Sequence, residues 1–109
     1  ALVVDLAEFT RFQATGERPR HFDDQLAPFY YNRANARVAK EDWDGAIADY
    51  SKSIAIVPTD PDAYFNRGVA YFNKSDYERA VSDFSKAIDI APSPLAYNHR
   101  GNARRATRA

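Results

Sequence analysis

Shifted by 34 residues, the chain lies on itself. Ala27–Asp60 then falls on Pro61–Pro94, and thirteen positions carry the same residue: Tyr30/Tyr64, Asn32/Asn66, Arg33/Arg67, Ala36/Ala70, Lys40/Lys74, Asp42/Asp76, Ala46/Ala80, Asp49/Asp83, Ser51/Ser85, Lys52/Lys86, Ile54/Ile88, Ile56/Ile90 and Pro58/Pro92. Others exchange within a type, as Tyr31/Phe65, Trp43/Tyr77, Ile47/Val81 and Tyr50/Phe84 do. A third copy opens with Pro94-Leu95-Ala96-Tyr97-Asn98-His99-Arg100-Gly101, one residue early, and stops half a unit later at Ala109. A fixed period of this length marks an architecture whose units bury their apolar stripes only by stacking.

Each unit reads as two helices. Tyr64, Gly68 and Tyr71 recur at helical spacing, and so do Tyr77, Ala80, Phe84, Ala87 and Ile88. Pro61 suits a first helical position with Asp60 as its N-cap, and Asp42 and Asp76 can cap the helices that follow them. Pro58 and Pro92 stop the second helices. The pattern predicts helices near 28–40, 43–56, 61–73, 77–90 and 94–107. No segment alternates apolar and polar residues long enough for a strand.

These residues resemble the tetratricopeptide repeat. That family places aromatic and small residues in a fixed order, ending in a proline. The second unit supplies all of them: Tyr64, Gly68, Tyr71, Tyr77, Ala80, Phe84, Ala87 and Pro92. The first unit supplies Tyr30, Ala34, Trp43, Ala46, Tyr50, Ser53 and Pro58, but has Arg37 where an aromatic belongs. The third has Tyr97 and Gly101, but Arg104 at that same aromatic position. The resemblance implies an all-α fold of antiparallel helix-turn-helix repeats, stacked into a short right-handed superhelical solenoid. The organisation is then a helix and loop over 1–26, followed by repeats at 27–60 and 61–93 and a partial one at 94–109. Physically, Gly68, Ala80 and Ala87 are small where helices cross closely, and Tyr64, Tyr77 and Phe84 are large where they fill gaps.

The resemblance also implies a concave groove lined by the first helix of each unit. Its inward residues are Tyr31, Asn32, Asn35 and Val38, then Asp62, Phe65, Asn66, Val69, Phe72 and Asn73, then Leu95, Asn98, His99, Asn102 and Arg105. Amide side chains can bond a peptide backbone in either sense, and Tyr31, Phe65 and Phe72 can take apolar side chains. Asn32 and Asn66 could instead bond locally between helices, and Phe65 and Phe72 could belong partly to the core. One branch of the family clamps the C-terminal carboxylate of chaperone tails. Asn35 and Asn66 match that clamp, but Tyr31, Leu95 and His99 replace the cations that would hold a carboxylate. A chaperone-tail clamp is therefore not expected. Arg33, Arg67 and Arg100 recur at one position and are expected to reach carboxylates such as Asp49 and Asp83 between helices.

Other chemistry finds little support. The chain has no phosphate loop, nucleophile elbow or HExxH. Without cysteine it has neither a disulfide nor a thiolate metal site. His21 beside Asp23 and Asp24 reads as a solvated loop, and Glu41/Asp42 as caps and turns. No cofactor and no enzyme activity are expected. Fifteen basic residues balance fifteen acidic ones, so no net charge draws the protein to nucleic acid or an anionic membrane. Apolar runs fall far short of the roughly 20 residues a membrane helix needs.

The two ends fit the period less well. Leu2, Val3, Leu6, Phe9 and Phe12 share a helical face that Gly16 could end, with a loop over Gly16–Asp24. This segment reads as a cap on the stack, as the tail of an upstream helix pair, or as a targeting segment. The chain begins with Ala1, so processing or design has removed a start, and the compartment stays open: cytoplasm, or periplasm after loss of an upstream signal. Arg100, Arg104, Arg105 and Arg108 crowd the last ten residues. They read as solvating the last helix and favouring its dipole, as a face left to dimerise, or as a nucleic-acid patch. The leading expectation is a non-enzymatic protein-interaction module binding a peptide or helix. A helical-repeat RNA binder using the basic last helix, or a self-assembly module, are the alternatives.

Overall fold

The computed structural model describes residues 20–108, with side-chain environments from Leu26 onward. Five helices follow in order: α1 (Arg20–Ala39), α2 (Trp43–Ile56), α3 (Pro61–Asn73), α4 (Tyr77–Ile90) and α5 (Pro94–Thr107). There is no strand among the described residues. Each helix packs on the next, giving the pairs α1/α2 and α3/α4 with α5 against α4, and α3 also meets α5. This is a short all-α solenoid of stacked helix pairs.

Four of the five helices have the predicted bounds. The first does not. It starts at Arg20 rather than near 28, so Pro28 lies in its interior. Residues 20–24, expected as loop, are helical. An interior proline gives up one backbone hydrogen bond and crowds the preceding turn, which is why the sequence points to a start there. The apolar face at Leu2–Phe12 and the Gly16 stop lie outside the described residues.

The turns within each pair are built alike. Ser75 has φ 65°, and its N–H reaches the Phe72 carbonyl at 2.9 Å, while that of Asp76 reaches Tyr71 at 2.9 Å. This is a Schellman motif. Asp76 then caps α4 by accepting from the Arg79 N–H at 3.3 Å. One period earlier, Glu41 has φ 58°, Asp42 N–H bonds Arg37 O at 2.9 Å, and the Asp42 carboxylate accepts from Gly45 N–H at 3.1 Å. One aspartate thus ends one helix and starts the next, which holds each pair antiparallel.

The core is a row of small and large residues in alternation. Ala34, Ala46 and Tyr50 fill the first pair. Ile54, Ala63, Tyr64 and Ala87 join the two pairs. Ala80, Phe84 and Ala103 carry the core through to α5. In two repeats a buried carboxylate crosses it. Arg33 forks onto Asp49 (Nε–Oδ2 2.7 Å, Nη2–Oδ1 2.8 Å), and Arg67 onto Asp83 (2.8 and 2.7 Å). The expected pairing is present in both. Arg67 also donates to Ser51 of the preceding repeat at 3.1 Å, and Arg100 repeats that reach to Ser85 at 3.4 Å. Arg37, the departure from the aromatic pattern, supplies a second cation to Asp49 at 3.2 Å. Charge there replaces the packing that Tyr71 provides in the second pair.

Candidate functional site

Three first helices, α1, α3 and α5, share one face, and side-chain contacts run across it. Asn66 on α3 donates through Nδ2 to the Tyr31 hydroxyl on α1 at 2.9 Å. Phe65 on α3 meets the His99 ring on α5 at 5.0 Å, edge to face. The helical period places Tyr31 and Asn35 one turn apart on α1, and Phe65, Val69 and Phe72 along α3. These contacts tie α1 to α3 and α3 to α5.

The candidate residues divide by what they touch. Tyr31 is half-buried, packs edge-on to Tyr50 at 5.8 Å, and belongs to the core rim as well as the face. Asn35 is exposed, and its side-chain oxygen accepts from the Tyr50 hydroxyl. Phe65 and Val69 are half-buried against the cluster around Phe84. Phe72 packs there too, edge-on to Tyr77 at 5.2 Å. Asn73 is exposed and turns back to the Val69 carbonyl at 3.0 Å. Asn98, Asn102 and Arg105 are exposed, and Arg105 donates to the Asn102 side-chain oxygen. Asn66 therefore bonds between helices, and Phe65 and Phe72 contribute to the core, two options the sequence left open.

His99 is held in place from two sides. Its ring sits 5.0 Å from Phe65 and 5.7 Å from Phe84. Its Nδ1 donates to the Leu95 carbonyl one turn back at 2.9 Å. A neutral imidazole with Nδ1 protonated keeps Nε2 as an acceptor. The Phe84 contact was not legible in the sequence, since Phe84 reads there as a core residue of the second helix.

Two phenols have shifted acidity. Burial, with Tyr31 nearby, pushes Tyr50 up to about 12. Tyr31 is also raised, chiefly by burial and further by the negative charge of Asp62 and Asp60, against hydrogen bonds from Asn35 and Asn66.

Two notches open beside Tyr31 and Phe65. The first, of about 320 Å³, lies among Ala27, Pro28, Tyr31, Asn32, Ser53, Val57 and Asp60. The second, of about 190 Å³, lies among Pro61, Asp62, Phe65, Ala87, Ala91 and the start of α5. Ala27, Pro28, Tyr31, Ser53 and Val57 become Pro61, Asp62, Phe65, Ala87 and Ala91 when shifted by the 34-residue period, so the notches are one feature repeated. Among the described residues no three His, Cys, Asp or Glu side chains gather to hold a metal, and no helix is long and apolar enough to cross a membrane.

Comparison with known proteins agrees with this architecture. A family model described as TPR repeat matches residues 34–75, and one described as tetratricopeptide repeat matches 61–94. Among curated protein sequences none matches the chain. The first TPR of Spaghetti (RPAP3), bound to the HSP90 peptide SRMEEVD, is 32% identical with a TM-score of 0.73, over 76% of this chain and 67% of that one. The TPR2B domain of yeast Sti1 in a complex with pHsp70 is 28% identical, TM-score 0.71, over 74% and 66%. The Arabidopsis OM64 TPR domain is 24% identical, TM-score 0.75, over 78% and 71%, a likeness of fold.

Proposed function

The chain belongs to the tetratricopeptide-repeat family, and from that premise we propose that it is a non-enzymatic scaffold that holds a peptide of a partner protein across α1, α3 and α5. One observation carries this reading. Tyr31–Asn66 and Phe65–His99 link the three first helices into a single continuous face of amides and aromatics. Such a face can bond a peptide backbone through Asn35, Asn98 and Asn102 and take side chains beside Phe65 and Val69.

One solved relative carries an HSP90 peptide and another is a complex with pHsp70. Binding of that kind to this chain is disfavoured by Tyr31, Leu95 and His99, which stand where the tail clamp has cations. Asn66, one of the two matching asparagines, already donates its Nδ2 to the Tyr31 hydroxyl. The partner is therefore a peptide other than a C-terminal carboxylate tail.

Selection from a phage-displayed dodecapeptide library tests the reading. The expected result is enriched peptides whose synthetic forms bind the chain and lose binding on Asn98→Asp together with Asn102→Asp. No enrichment, or binding untouched by those exposed substitutions, would overturn it.

A further inference from the structure

We propose that the outer face of α5 takes residues 1–15 of a second copy of this chain, with Glu8 on Arg100 and Phe9 over Gly101, so that copies join head to tail.

In both complete pairs the first helix presents an arginine followed by a small residue. The second helix answers with an acid followed by an aromatic. Arg67 forks onto Asp83 while Phe84 lies against Gly68. Arg33 forks onto Asp49 while Tyr50 packs with Ala34. On α5 the presenting half is in place. Arg100 lies over the Tyr97 ring at 5.2 Å and reaches Ser85, as Arg67 lies over Tyr64 at 5.7 Å and reaches Ser51. Among the described residues no carboxylate meets Arg100, and a methyl on Gly101 would meet Arg105 alone. Tyr97 is 48% exposed where Tyr64 is 9%. Tyr97, Arg100, Gly101, Arg104 and Arg108 fall on one helical stripe, and Asn98, Asn102 and Arg105 of the peptide face on another.

The answering half occurs once more in the sequence. Glu8-Phe9-Thr10-Arg11 has the order acid, aromatic, hydroxyl, base of Asp49-Tyr50-Ser51-Lys52 and Asp83-Phe84-Ser85-Lys86. In that register Leu2 and Leu6 take the places of Trp43/Tyr77 and Ile47/Val81. Of the positions buried in α2 and α4, Asp5 replaces Ala46/Ala80, Phe12 replaces Ser53/Ala87, and Gln13 replaces Ile54/Ile88. The first two departures meet departures on α5. Helices of a pair run antiparallel, so the turn before Glu8 would face the turn after Arg100. Asp5 then falls beside Arg104, the cation that stands where the second pair has Tyr71. Phe12 falls beside the exposed Tyr97. Gln13 has no such counterpart.

Charge favours the same contact. Residues 1–26 hold five acids against three bases, while residues 95–109 hold four arginines and no acid. The segment precedes α1, at the opposite end of the stack from α5, so the face it meets is a neighbour's. Each copy gives one segment and offers one face, a heterologous contact that builds rings or open chains.

Sedimentation velocity of the 109-residue chain over a concentration series tests the inference. The chain should grow past monomer as concentration rises. Glu8→Arg and Arg100→Glu should each lower the association constant about tenfold or more, like charges then being opposed at the contact. Mixing the two variants should restore association, since each supplies the sign the other lacks, and would show that both fold. Gly101→Leu, which fills the place of Phe9, should abolish association while library-selected peptides still bind the groove. A monomer at every concentration, with this face covered within one copy or by a different protein, overturns the inference. So does association that either reversal leaves intact, that mixing fails to restore, or that survives Gly101→Leu.

Discussion

Phe84 lies directly against the backbone of Gly68: a methyl carbon on Gly68 would meet Phe84 Cε1 at 2.8 Å and Cδ1 at 2.9 Å, and Asp83 Cβ at 3.2 Å. Phe84 is fully buried and has nowhere to move. Gly101 holds the corresponding place on α5, where the same methyl would meet only Arg105 Nη1 at 3.9 Å. The two glycines should therefore respond oppositely. Gly68→Ala should destabilise by about 1–3 kcal/mol through overpacking, partly offset by helix propensity. Gly101→Ala should stabilise by up to about 1 kcal/mol. Urea unfolding of both variants checks the signs.

The Arg33–Asp49 pair makes stability depend on acid. Arg33's hydrogen bonds, with further help from Arg37 and Lys52, hold the Asp49 carboxyl below its ordinary range despite burial. A depressed folded value contributes stability above the unfolded value, near pH 4, and loses it as pH falls through the folded value. The midpoint of urea unfolding should fall steadily below about pH 4. Asp49→Asn should flatten that fall, and an unchanged slope would contradict the assignment.

Tyr50 sets the opposite limb. Its phenol, pushed up to about 12 by burial, donates to Asn35. A raised folded value contributes stability below the ordinary phenol value of about 10 and loses it as pH rises toward 12. Tyr50→Phe should remove this alkaline loss. It should also cost about 1 kcal/mol at neutral pH for the hydrogen bond. Ultraviolet titration of phenolate should show one tyrosine fewer in the last step.

The left-handed residues in the turns offer a stabilising change. Ser75 has φ 65° and carries a Cβ in a conformation that costs roughly 1–2 kcal/mol. Ser75→Gly should relieve it, less about 0.5–1 kcal/mol for the added freedom of the unfolded chain. A net gain of up to about 1 kcal/mol is expected by thermal unfolding, reading the difference at the melting temperature.

The period, the caps and four of the five helices were legible because they are local. Asp76 before Tyr77, and Pro61 after Asp60, act within one turn of themselves. The start of α1 was hidden because Pro28 reads as a first-turn residue, yet its helix continues on both sides. The shared face could be read from the repeat through Tyr31, Phe65 and His99. Its bonding could not, because Asn66–Tyr31 and Tyr50–Asn35 depend on how two helices are rotated against each other. The role of Arg37 was equally invisible: a missing aromatic looks like weaker packing, and only the fold shows that its guanidinium reaches Asp49. Asp60 appeared as a cap alone, since its place beside the first notch arises from the next repeat closing over Val57.

The central claim is that α1, α3 and α5 present the binding face. Amide chemical-shift mapping with a selected peptide tests it most directly. The largest perturbations should fall at Tyr31, Asn35, Phe65, Val69, Asn98 and Asn102. Shifts concentrated instead on the exposed residues of α2 and α4, such as Lys52 and Lys86, would contradict it.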